Sequence, residues 1–383
     1  MAVVHEIQSF FAWMGWYVLP FIVLLSAIVF FHELGHYLVA RWCGVKIEAF
    51  SLGFGPELFA RVDKRGTRWR IAALPLGGYV KFLGDAGVAS AEDDAAVATL
   101  SEDDRRRTLG GQPLWARALI VAAGPAANLL LALVIFAGMY ISEGKIAHAP
   151  VIGLVEPGSV ADKAGFRVGD VIKTIDGEAI ESFEQLHQMV LISTGLRLDF
   201  LILRNGAPMT LEAAPELQLV DQGPLGKRRM AHLGVGPTKD PADVRHLYCG
   251  APTCVIWAAE EIGFVAEATG SYVFALFAGR ESVDQLSGSL EVARIAGEIA
   301  KISPIDLFNL AGLFSVSVGL MNLLPIPLLD GGHLMFYALE ALARRPLNRR
   351  AKEIALRIGI AIVAFLVIFT TTHDLWRLLT LGN

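Results

Sequence analysis

Phe30-Phe31-His32-Glu33-Leu34-Gly35-His36-Tyr37 decides how this chain is read, because it lies within Trp16 to Ala40, an apolar run long enough to cross a bilayer. Two histidines four residues apart on a helix share one face, and the carboxylate of Glu33 stands beside the first. That pattern suits a zinc ion held by His32 and His36, with Glu33 as general base. Titratable groups at bilayer depth are costly and therefore mark function. The stretch implies a membrane helix that carries metal-assisted hydrolytic chemistry.

The rest of the chain agrees with a membrane protein that carries one modest soluble part. Its 383 residues are 54% hydrophobic and 19% charged. Three further spans follow: Ala118 to Tyr140, Ile305 to Leu329 (interrupted by Pro325 and Pro327, with its motif continuing to residue 336), and about Ile354 to Thr372. Met1 to Phe10 contains no Lys or Arg, so the n-region of a signal peptide is missing. Basic residues gather in two loops, from Arg41 to Arg107 and from Arg344 to Lys352. The positive-inside rule puts both on the cytoplasmic side, which leaves the two termini and the segment from Ser142 to Pro304 outside. Cys254 to Gly279 is apolar but carries Glu260, Glu261 and Glu267, and counting it as a span would reverse the last basic loop. It reads as a surface amphipathic helix, with Glu291 to Ile302 as a second. Cys249 and Cys254 read as two free thiols, a small disulfide being the alternative on an oxidising side. The net charge of −5 says little by itself, and no basic arm or aromatic-basic interleaving points to a nucleic-acid partner.

Two inserts lie between the spans. In residues 45–83, Leu58 to Val62 and Thr67 to Ile71 are strand-like, joined by the turn Asp63-Lys64-Arg65-Gly66 and bracketed by Gly53-Phe54-Gly55-Pro56 and Pro75-Leu76-Gly77-Gly78-Tyr79. This predicts a membrane-associated hairpin whose edge, at Gly53, Phe54 and Gly55, pairs with an extended substrate. Residues 84–113, chiefly Ala86 to Asp104, read as a mobile linker. Val151 to Pro215 alternates strand, short helix, strand at Val171–Ile175, helix from Phe183 and a hairpin turning at Asn205-Gly206. This order resembles a bacterial PDZ domain, placed at 145–236. The resemblance implies a groove between the Ile152-Gly153 strand and the Phe183 helix that takes peptide C-termini. The organisation expected is therefore a first membrane half at 1–140, the PDZ domain, amphipathic helices at 237–304, and a second membrane half at 305–383.

A catalytic zinc site needs a third protein ligand. Asp330, in Asn322-Leu323-Leu324-Pro325-Ile326-Pro327-Leu328-Leu329-Asp330-Gly331-Gly332, is the remote residue that the topology brings to the depth of His32 and His36. The HExxH and NxxPxPxLDGG patterns together resemble the site-two protease family of intramembrane zinc metalloproteases. Their order, the four spans and the inserted domain resemble its bacterial regulator-of-sigma-E protease branch, here with a single PDZ domain where better-known members carry two. Gly124-Pro125-Ala126-Ala127-Asn128 and Gln285-Leu286-Ser287-Gly288 also match that pattern. The resemblance implies zinc on His32, His36 and Asp330, Glu33 as general base, and Asn322 on the substrate backbone. His333 is then an interface residue rather than a fourth ligand. It further implies single-span substrates such as anti-sigma factors, and a bacterial inner-membrane location with the active site near the cytoplasmic face. A scaffold with a vestigial metal site and a transporter are the competing classes. The intact ligand set and the lack of an inverted repeat weigh against them.

Overall fold

A computed structural model describes residues 14–85, 94–221, 227–238, 240–277 and 288–381. Met1 to Phe10 and most of Gln285-Leu286-Ser287-Gly288 lie outside the described residues. The chain divides into two compact units, Met1–Ile135 with Leu286–Asn383, and Phe136–Gln285.

The first unit is built on apolar helices. Among the described residues, four are long and apolar enough to cross a membrane: Gly15–Trp42, Leu114–Glu143, Ile305–Asn322 and Arg350–Thr372. They belong to α1 (Leu19–Trp42), α2 (Leu114–Glu143), α6 (Pro304–Asn322) and α8 (Arg349–Leu381). Along α8, Ile358, Ile362, Phe365 and Ile368 are all exposed, as expected of a helix solvated by lipid. The third span is shorter than its sequence suggests. α6 stops at Asn322, because Pro325 and Pro327 can neither donate to the helix ladder nor clear its carbonyls, and α7 (Asp330–Ala343) starts afresh.

The insert after α1 is a larger sheet than its strand signals foretell. β1 spans Ile47–Val62 and β2 spans Arg68–Phe82. Each folds back on itself, so that Arg68 faces both Val62 and Ala49 while Phe50 faces both Trp69 and Val80. The strand order is therefore 57–62, 68–72, 49–52, 78–82. The bends fall at Gly53 and Gly55, whose φ of +89° and +87° would strain any side chain-bearing residue. The tip is bolted to α1. Asp63 accepts from the Trp69 indole at 3.2 Å and the Tyr37 hydroxyl at 3.4 Å, and Phe50 stacks on Trp69 at 4.4 Å. Part of the expected linker is ordered, with short helices at Asp94–Ala98 and Glu102–Arg106.

In the second unit, a four-stranded sheet runs in the order Glu178–Ala179, β4 (Val171–Ile175), β5 (Leu198–Arg204), β6 (Ala207–Ala213). It packs on α3 (Phe183–Ile192) through fully buried Ile172, Leu186, Phe200 and Ile202. β3 (Ile152–Val155) pairs along its edge with β7 (Val235–Pro237). α4 (Ala251–Phe277) also belongs to this unit, and Tyr140 meets it through the Trp257 ring and the Glu261 carboxylate. Cys249 and Cys254 are joined as a disulfide, which corrects the reading as free thiols: the bend before α4 brings their Cα atoms to 5.4 Å. α5 (Ser289–Ile302) belongs to the first unit. Its Gly297 packs on Tyr17, and Asp374 caps its amino end through the Gly288 and Glu291 amides.

Candidate metal centre

His32 and His36 project from one face of α1, and α2 reads both rings. The His36 Nδ1 lies 2.8 Å from the Ile120 carbonyl, which can only accept, so Nδ1 holds the hydrogen and Nε2 keeps its lone pair. The His32 Nδ1 faces the Asn128 side-chain amide at 3.2 Å. Turning that amide over, so that Oδ1 faces the ring, gives the buried Asn128 Oδ1 the donor it otherwise lacks and frees the His32 Nε2. Gly124 lies midway between the two contacts on α2. A Cβ there would stand 2.2 Å from the His36 Nε2 and 2.9 Å from the His32 Cε1. Gly35 plays the converse part on α1, where a Cβ would meet the Ala123 carbonyl at 2.3 Å. The imidazoles fit because both helices give up side chains at the crossing.

Asp330 arrives from the far end of the sequence. Its Oδ2 lies 3.1 Å from the His32 Nε2 and 3.5 Å from the His36 Nε2, and the two Nε2 atoms are 3.2 Å apart. Gly331 and Gly332 set this start of α7, since a Cβ on either would lie within 2.3 Å of the Leu323, Leu324 or Ile326 carbonyl oxygens. The Asp330 Oδ2 is buried without a hydrogen-bond donor. Two ring nitrogens and a carboxylate oxygen, all within 4.8 Å of one another, thus converge with nothing between them to offset their lone pairs. This donor set fits a tetrahedral zinc ion with one position left for water or substrate.

The trio opens into a cavity of about 200 Å³ whose lining includes Glu33, Gly78, Tyr79, Val80, Asn322, His333 and Tyr337. The edge strand 78–82 passes beside the Glu33 side chain, and a Cβ on Gly78 would stand 3.0 Å from the Glu33 Cγ. Arg70 holds Tyr79 by its hydroxyl and lies over its ring, 4.9 Å from the centroid.

Several sequence expectations move. Gly53, Phe54 and Gly55 do not line the cavity. They form the bend of β1, where Phe54 stacks behind Tyr79, and residues 78–80 present the edge instead. Ile152 and Gly153 do not offer an open strand, because β7 already pairs with β3 and a Gly153 Cβ would lie 2.3 Å from the Thr238 Cα. Among the described residues, Val235–Pro237 pairs on one side only, with β3. Asn128 and Gly124 were legible only as part of a matched pattern. The proximity of Tyr79 had no local signal beyond the glycines before it.

Sequence comparison extends this geometry across the whole chain. The model of peptidase family M50 matches residues 20–366. The chain belongs to peptidase family M50. A putative zinc metalloprotease of Agrobacterium fabrum is 42% identical over 364 residues, covering 95% of this chain and 96% of the relative. One from Rhizobium meliloti is 43% identical over 362 residues, at 94% and 96% coverage. The metalloprotease MmpA of Caulobacter vibrioides is 36% identical over 376 residues, at 92% and 94% coverage. The PDZ domain of a Listeria monocytogenes SdrC-like protein matches 24% of this chain and 87% of its own at 18% identity, with a TM-score of 0.20, too low to carry an argument. As an M50 peptidase the chain is a membrane metalloprotease that uses zinc.

Proposed function

We propose that this M50 peptidase cuts single-span membrane proteins within or near their transmembrane segment, as a step of regulated intramembrane proteolysis. The observation that carries the reading is the convergence of His32 and His36, on a membrane-spanning helix, with Asp330 from beyond a broken one. Those three residues would hold zinc, which supplies Lewis acidity to a water and to the scissile carbonyl. Glu33 takes the proton of the attacking water as its oxygen bonds the carbonyl carbon. Glu33 then delivers that proton to the amide nitrogen as the C–N bond breaks. Asn322 and the 78–80 edge hold the substrate as an extended strand. A substrate helix must unwind first, and each glycine in it lowers that cost by about 1 kcal/mol.

The chain would sit in a bacterial inner membrane with its basic loops inside, so that the active site is near the cytoplasmic face. The Cys249–Cys254 bond supports an oxidising side for the segment that carries it. The PDZ-like unit would meet peptide C-termini at the β7 edge beside α3. Substrates would be anti-sigma-factor-like proteins already trimmed outside the membrane. Glu33→Gln should abolish cleavage of a model single-span protein in proteoliposomes while zinc content stays at the wild-type level. Undiminished turnover by that variant would reject the mechanism.

A further inference from the structure

A third imidazole, that of His333, lines the cavity beside the two on α1. α7 turns a single face to the cavity, where Asp330, His333 and Tyr337 follow one another at i, i+3 and i+7. That face is rigid. Gly331 and Gly332 seat its first turn against the 323–326 backbone, and the Arg117 guanidinium lies over the Tyr337 ring at 5.1 Å. His333 stands outside the trio of ligand atoms that lie within 4.8 Å of one another, so it is not part of the metal-binding set. Among the described residues its ring contacts Phe336 edge-on, and neither ring nitrogen has a protein hydrogen-bond partner. A polar group on a packed helix face that lines the reaction space is placed to meet a bound substrate.

We propose that His333 is a second catalytic residue, donating an N–H hydrogen bond to the scissile carbonyl oxygen as that oxygen gains negative charge. This rests on the intramembrane peptidase reading above. An imidazole carries at least one N–H in either tautomer, so the role needs no change of protonation. When the water oxygen bonds the carbonyl carbon, the C=O π pair moves onto the carbonyl oxygen and Glu33 takes the water proton. The His333 hydrogen stays on its ring throughout. On collapse the pair returns, the C–N bond breaks, and the nitrogen takes the proton from Glu33. Of the other polar groups lining the cavity, the Tyr79 hydroxyl is already held by Arg70. A preorganised oxyanion donor in a site poor in water is worth roughly 10²–10³ in kcat.

The test uses the full-length protein in detergent or proteoliposomes and compares His333→Leu with His333→Gln, which keeps an N–H donor. Zinc content, kcat and KM for a model single-span substrate, and inhibition by a phosphinic peptide that mimics the tetrahedral species are measured together. His333→Leu should keep zinc and KM, lose roughly 10²–10³ in kcat, and weaken the phosphinic inhibitor by a similar factor, with His333→Gln recovering part of both. Equal kcat in wild type and His333→Leu overturns the proposal, as does a loss of kcat with no matching loss of inhibition. Loss of zinc overturns it too, by making His333 a ligand. Turnover by Glu33→Gln, run alongside, would instead reject the peptidase reading on which the proposal rests.

Discussion

Asp170 and Asp330 are both shielded from bulk water, and their surroundings treat them in opposite ways. In the second unit, Asp170 accepts from the Arg204 Nε and Nη2, each at 2.8 Å, and from the Arg167 amide at 2.8 Å. Burial alone would raise its pKa, but these donors outweigh burial and hold the carboxyl below the usual range. In the first unit, Asp330 faces two ring nitrogens and its Oδ2 has no donor. Asp170 is finished by folding, and Asp330 is left incomplete. The orphaned Asp330 oxygen sits where two further donor atoms converge, as a metal ligand would, whereas Asp170 belongs to the scaffold.

Removing each carboxylate should break the comparison most sharply. Asp330→Ala should abolish peptide cleavage and zinc retention, yet leave the thermal stability of the metal-free protein unchanged or raised, since it deletes an unpartnered charge. Asp170→Ala should do the reverse, keeping zinc but destabilising its unit by about 1–3 kcal/mol because the Arg204 and Arg167 donors lose their acceptor. Metal analysis and hydrogen exchange across β4 and β5 read the two outcomes. A smaller effect is expected at Asn128, which orients an imidazole without being a candidate ligand. Asn128→Leu should weaken zinc binding about 10–100-fold in chelator competition, and Asn128→Asp, which keeps an acceptor toward the His32 Nδ1, should hold most of it. The smallest effect is in pH. Folding lowers the pKa of Asp170, so the pair's contribution is full above about pH 4 and is lost as pH falls through the folded-state pKa. Exchange protection of β4 and β5 in wild type should decline over that acidic range, while Asp170→Asn should show a flatter profile there.

Much of this was legible in the sequence, and where it failed the causes are physical. HExxH on an apolar run specifies its own helix and face, and the second motif, at the end of another apolar run, marks Asp330, which the structure brings to His32 and His36. The hairpin was read too short. Its longer strands contain Pro56, Pro75 and left-handed glycines at 53 and 55, which look like strand terminators when they are bends within a folded-back sheet. That Ile152 is already paired could not be seen from the sequence, because Val235–Pro237 returns about eighty residues later to cover it, a long-range pairing that leaves no local mark. The third span was overextended because hydropathy continues through Leu323 to Leu329 although the prolines end the helix.

The distribution of the three converging residues along the chain has a consequence for the newly made protein. Membrane insertion proceeds from the amino end, so His32, Glu33 and His36 enter the bilayer long before Asp330 has been synthesised. A nascent chain would therefore carry the nucleophile-activating carboxylate but only two-thirds of its metal cradle. Its hydrolytic power would stay latent until the last helices dock.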